Sequence, residues 1–134
     1  MSSLQCIVVS PERTEMDVVA DSIVLPMYDG EFGILQGHSP LIGRLGYGCL
    51  KIRRSGQNEE RYFVDAGFVQ VANNVVSILT DRMVPVSRLS EADASRDLEV
   101  ALRMPAKNSE SRAAREKAIS RARAQLRLVG AAAK

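Results

Sequence analysis

The chain has 134 residues, 46% hydrophobic and 25% charged, with a formal charge of +2; that is one ordinary domain with a real core, and it excludes wholesale disorder. Aromatics are scarce at 4% with no Trp, which argues against a base-stacking platform for single-stranded nucleic acid; one His and two unpatterned cysteines, Cys6 and Cys49, exclude a His-rich metal centre, a zinc site and a disulfide framework, so no metal or cofactor is expected. No apolar run is long enough to span a bilayer, and Met1-Ser2-Ser3-Leu4-Gln5-Cys6 lacks the basic-then-apolar order of a secretory signal, so the reading is a soluble intracellular protein with reduced thiols.

Residues 3 to about 86 read as β. Gln5–Ser10 is short, β-branched and ended by Pro11; Asp17–Ala20 and Ser22–Leu25 follow, the second ended by Pro26. Gly48–Arg54 alternates apolar and polar, Ser55–Glu60 is a polar turn, and Arg61–Asp65 returns as the second arm of a hairpin. Gly67–Val71 and Val75–Thr80 form another hairpin around Ala72-Asn73-Asn74, where Asn tolerates positive φ. Short strands at this spacing, with no helix between them, predict a β-sandwich or barrel.

After Val86 the period changes. Ser90-Glu91-Ala92-Asp93 has the form of a capping box, and Ala94, Leu98, Ala101 and Leu102 fall on one helical face. Met104-Pro105 ends that helix, Asn108 or Ser109 caps the next, and Gly130 is its expected stop. The predicted pair is an antiparallel hairpin with thin, Ala-rich stripes, weakly packed enough to come apart. Its second helix is strongly basic: Ser111–Lys134 holds seven basic residues against one acid, Glu116, leaving that stretch at +6 and residues 1–110 at −4. The domains are read as 1–86 and 87–134.

Catalytic chemistry is hard to find. His38 and Ser39 are adjacent, but sequence neighbours rarely meet as base and nucleophile, so a turn histidine is the plainer reading. Gly46-Tyr47-Gly48 has no helix after it, as a dinucleotide fingerprint would require, and Glu59-Glu60 sit at a solvated hairpin tip. Asp29–Gly43 stands apart, with four glycines among apolar side chains. It reads either as two tight turns around a short strand or as an irregular apolar loop that docks on a partner.

Within that segment, Gly30-Glu31-Phe32-Gly33-Ile34-Leu35-Gln36-Gly37-His38-Ser39-Pro40-Leu41 closely resembles the G-E-x-G-I-x-P-G-H-A-P-L signature of the epsilon-subunit family of rotary ATP synthases. Leu45-Gly46-Tyr47-Gly48 resembles the family's K-P-G turn region, Phe63–Val71 its V-x-G-G-F-x-E-V hairpin, Val75–Asp81 its V-T-V-L-A-D strand, and Ala124–Leu128 its A-x-x-R-L helix ending. The resemblance implies an N-terminal β-sandwich of two five-stranded sheets followed by a helix–turn–helix. It implies a non-catalytic central-stalk subunit, whose sandwich meets the gamma subunit and the c ring. The helices then fold back or extend toward the alpha/beta catalytic head to inhibit ATP hydrolysis. On this resemblance Glu31, Phe32, Gly33, Ile34, Leu35, Gly37, His38, Pro40 and Leu41 form the gamma and c-ring contact, and Arg115, Lys117, Arg121 and Arg123 the inhibitory cations. The implied place is peripheral, through the complex, on the cytoplasmic face of the bacterial inner membrane.

Two departures stand out. Gln36 replaces the family's Pro. The stretch Ala92-Asp93-Ala94-Ser95-Arg96-Asp97 keeps Asp93 and Arg96 of the I/L-D-x-x-R-A motif that binds ATP in some bacterial members, but Asp97 adds a carboxylate where a triphosphate would lie. Asp93 as helix cap and Arg96 as surface charge is the simpler reading. A small sandwich with a basic helical tail for nucleic acid or acidic membrane is the rival class, and a small hydrolase using His38 a third.

Overall fold

In the first strand, Leu4–Val9 (β1), Leu4, Cys6 and Val8 are buried while Gln5 is exposed, the period of two that sets one face of a strand on a core. The computed structural model describes residues 3–132 and continues with β2 (Thr14–Ala20), β3 (Ser22–Met27), β4 (Gly30–Leu35), β5 (Leu41–Arg53), β6 (Glu60–Ala72), β7 (Val75–Leu79) and β8 (Met83–Pro85). Lys134, the last cation counted in the basic tail, and Met1-Ser2 of the segment read for a secretory signal lie outside the described residues. The chain divides into two units between Pro85 and Val86.

The strands run in the order β2-β1-β7-β6-β5-β3-β4, with β8 on β6 and the β1–β7 pair parallel. The expected two five-stranded sheets are therefore corrected: the hydrogen bonding forms one continuous eight-stranded sheet. The reason is the length of β5 and β6. Each has 13 residues and is joined to the other from Leu41↔Val71 to Ile52↔Glu60. The register skips Gly46 and Ala66 at mid-length, where Ala66 and Gly67 take positive φ of 57° and 126°. The strands bend there without ending, so the segments read as Arg61–Asp65 and Gly67–Val71 are halves of β6, and Gly46-Tyr47-Gly48 lies inside β5.

Pro26 does not end β3. It pairs with Glu31 of β4, and the β3–β5 register shifts between Val24 and Met27, so its missing N–H falls at an irregularity. Asn73 and Asn74 take φ of 52° and 64°, as a tight hairpin between antiparallel β6 and β7 requires. The core gathers Cys6, Val8, Ile23, Leu25, Ile34, Leu50, Ile52, Val64, Val71 and Val76. Burial pushes the Cys6 thiol up to about 12 and raises that of Cys49. At the root of the β5–β6 turn Arg54 Nη2 donates to Glu60 Oε1 at 2.9 Å, and the Tyr62 hydroxyl donates to the same oxygen at 2.7 Å. Burial works against the Glu60 charge, yet these two donors hold its carboxyl below the usual range.

The second unit opens with one 3-10 turn, Val86–Arg88, followed by α1 (Glu91–Leu102) and α2 (Ser109–Ala132). Ser90 caps α1, its Oγ accepting from Asp93 N–H at 3.2 Å. Asn108 caps α2 reciprocally: its Oδ1 accepts from Ser111 N–H at 2.8 Å, and Ser111 Oγ from Asn108 N–H at 3.0 Å. Gly130 does not stop α2, which runs on to Ala132. A helical glycine costs about 1 kcal/mol and the alanines beyond it favour continuation. Ala94 and Ala101, seven residues apart on α1, are buried, and Leu98 between them on that face is half-buried.

A Cβ at Gly67 would sit 1.9 Å from the Leu79 carbonyl oxygen, whereas one at Gly33 would meet nothing within 4 Å at an ordinary φ. Gly67→Ala is therefore expected to cost about 3 kcal/mol or more in urea unfolding, and Gly33→Ala no more than about 0.5 kcal/mol. Equal midpoints for the two variants would refute the account of the bend.

Candidate partner interface

The Gly-rich segment resolves into an edge hairpin. β3 turns through Tyr28-Asp29 into β4, with Gly30 at φ 137°, and β4 stands at the end of the strand order. The plainer of the two readings, a short strand between turns, is thus what forms. Alternation sorts its side chains. Ile34 is fully buried opposite Ile23 and belongs to the core, while Phe32, on the same face nearer the rim, is 41% exposed. Glu31, Gly33 and Leu35 share the outer face, where Leu35 is 64% exposed and Glu31 Oε2 pairs with Lys51 Nζ of β5 at 3.2 Å.

The turn beyond β4 is tied in place. His38 N–H donates to the Leu35 carbonyl at 3.1 Å, and Gly37, at φ 83°, donates its N–H to Asn74 Oδ1 of the β6–β7 turn at 2.7 Å. The His38 ring stands edge-on to Phe32, centroids 5.4 Å apart, and its Nδ1 donates to the Ser39 carbonyl oxygen at 2.7 Å. The histidine is thus engaged by a ring and a backbone carbonyl. Pro40 is exposed, and Leu41 is half-buried where β5 begins.

A second apolar surface escaped the sequence reading. Arg44, Phe68 and Leu79 are register partners across β5, β6 and β7, and Ile42, Gln70 and Ser77 form the neighbouring row on the same face. Ile42 is 79% exposed, Phe68 57% and Leu79 51%, and the Arg44 guanidinium lies 4.7 Å over the ring of exposed Tyr28. The signal was parity: with Val69, Val71 and Ile78 pointing inward, Phe68 and Leu79 are apolar residues at outward positions.

The helical candidates fall into separate groups. Arg115 and Arg123 line one open groove with Leu102, Glu116, Ile119 and Ser120. Lys117 and Arg121, four apart, lie together on another side of α2, since a two-residue step turns a helix by about 200°. Asp93 has its N–H on Ser90 and its carboxylate on the Arg96 guanidinium, so both residues of the partial ATP motif are engaged locally on the α1 surface. Among the described residues no group of three or more His, Cys, Asp or Glu could hold a metal ion, and no helix is long and apolar enough to cross a membrane.

Comparison with known proteins bears on this geometry. The family model for the β-sandwich domain of the ATP synthase delta/epsilon chain matches residues 3–86. The ATP synthase epsilon chain of Rhodopirellula baltica is 49% identical over 125 residues, 93% of this chain and 97% of that one. That of Chromohalobacter salexigens is 38% identical over 133 residues, covering 96% and 93%. The fold is shared with a chain in the OSCP/F1/c-ring structure of the Euglena gracilis mitochondrial ATP synthase, at TM-score 0.82 and 21% identity over 100% of this chain and 83% of that one. It is shared also with a chain in the central stalk/c-ring structure of the Tetrahymena thermophila enzyme, at TM-score 0.75 and 14% identity over 94% and 96%.

Because Asp93 and Arg96 are paired with each other and Asp97 adds negative charge beside them, the full chain is expected to bind ATP weakly or not at all. Calorimetry at physiological salt checks this, and a micromolar dissociation constant would overturn it.

Proposed function

The chain belongs to the epsilon-chain family of the ATP synthase, a rotor subunit of the central stalk, and we propose that its β unit docks on the gamma subunit and c ring while its two helices restrain ATP hydrolysis. The observation that carries the docking reading is the outward face bearing Ile42, Phe68 and Leu79 in two neighbouring rows, because large apolar side chains on the open face of a sheet gain by being covered. Beside it lies the β3–β4 edge. There the exposed Phe32 and Leu35, the Glu31–Lys51 pair and the pinned Gly37–His38 turn offer a second contact of mixed character. Apolar rows suit a permanent partner, and a charged, ridged edge suits a contact that fixes register. In this reading the subunit is non-catalytic and sits peripherally, through the complex, on the cytoplasmic face of the bacterial inner membrane.

The restraining role is supported by composition and packing. The fully buried apolar residues of α1 and α2 are alanines, while Leu98, Ile119 and Leu126 are only half-buried, so their pairing as an antiparallel hairpin is modest in energy. α2 carries the excess cations on more than one side, which leaves some for an acidic segment of the alpha/beta head whichever way the helix turns. A partner shifts such a two-state element only through its difference in affinity for the two states.

Phe68→Asp in the full chain is expected to weaken gamma binding at least about tenfold without loss of β circular dichroism, since the side chain is exposed and its removal leaves no cavity. Unchanged affinity would move the docking surface elsewhere. Deleting residues 88–134 is expected to leave assembly intact and raise ATP hydrolysis by the reconstituted enzyme. Charge reversal at Lys117 and Arg121 should do part of the same, more so at low salt. Equal hydrolysis rates for all forms would mean that the helices do not inhibit.

A further inference from the structure

α1 ends with carbonyl groups that have no further helical partner, and its own last turn has no basic residue. The N–H groups of Arg103 and Met104 serve the carbonyls of Val100 and Ala101. The Leu102 carbonyl is met from the other helix: Arg115 Nη2 donates to it at 3.4 Å across thirteen residues of chain. Local structure sets this up. Met104-Pro105 breaks the chain after α1, and the reciprocal Asn108–Ser111 cap fixes where α2 begins. Arg115 follows one turn later, at the groove it shares with Leu102.

We propose that Arg115 is the latch of the two-helix unit: its bond to the Leu102 carbonyl exists only while α1 and α2 lie together, and a carboxylate that draws the guanidinium away opens the pair. The competition is direct, because a bidentate carboxylate takes up the fork of donors that the latch uses. The acceptor is backbone, so the latch depends on no side chain of α1. The bond is exposed to water, which keeps it to about a threefold bias in an open–closed equilibrium, small enough for a partner to reverse. The meaning of the latch for hydrolysis rests on the restraining role proposed above; the latch itself does not.

Pulsed electron paramagnetic resonance on the full chain reads it directly. Spin labels go on Ala92→Cys and Gly130→Cys, both at exposed positions, while buried, protonated Cys6 and Cys49 stay unlabelled. Arg115→Gln is expected to raise the long-distance population about threefold, Arg115→Lys to restore part of the short distance, and Lys117→Gln to leave the distribution as it was. An Arg115→Gln distribution identical to the parent, or the same rise with Lys117→Gln, would overturn the latch. Hydrolysis by the reconstituted synthase is measured in parallel. Should the helices have no inhibitory role, every variant hydrolyses at the parent rate while the resonance shift persists, so the two ideas fail separately.

Discussion

The β unit depends on close backbone approaches along β5 and β6. β3 pairs beside β5 at a glycine-bearing stretch, and a Cβ at Gly48 would strike the Pro26 Cβ at 2.8 Å. On the other side of the β5–β6 ladder Gly67 leaves room for the Leu79 carbonyl. These absences of side chain let two 13-residue strands bend while staying paired, so that one sheet covers its own apolar face. Without the bend, the buried faces of β1, β3 and β7 would have nothing to pack on.

Much of this was legible in the residues, and the exceptions share a cause. β1, the β5–β6 and β6–β7 hairpins, the Ser90 cap and the Met104-Pro105 break were visible because each is set by neighbours in the chain. The continuity of β5 and β6, the passage of β3 through Pro26 and the pairing of β8 with β6 were not. Each is decided by a strand distant in sequence: Pro26 survives because the β3–β5 register is already irregular there, and Met83–Pro85 becomes a strand only because Tyr62–Val64 is available to it. Gly130 misled for the opposite reason, since a local stop signal was too weak to act among alanines.

The candidate interface divides in the same way. The Gly-rich segment drew notice by composition, yet its chemistry is sorted by strand parity, which sends Ile34 into the core and leaves Leu35 outside. Phe68 and Leu79 were hidden in runs that read only as hairpin strands, because a run of consecutive apolar residues conceals which face each one takes. The helical cations were visible as a count and not as an arrangement. Arg115 was one of four candidate cations with nothing to set it apart until the Leu102 carbonyl appeared opposite it.

The continuity of the sheet has a mechanical consequence for a part that turns with a shaft. Shear across neighbouring strands is carried by many short hydrogen bonds acting together, so such a sheet yields little before it ruptures. Two separately bonded sheets would slide past one another along a seam of side chains. Here the path from β2 at one edge to β4 at the other crosses no such seam. Torque entering at one edge would therefore reach the other through backbone hydrogen bonds from strand to strand.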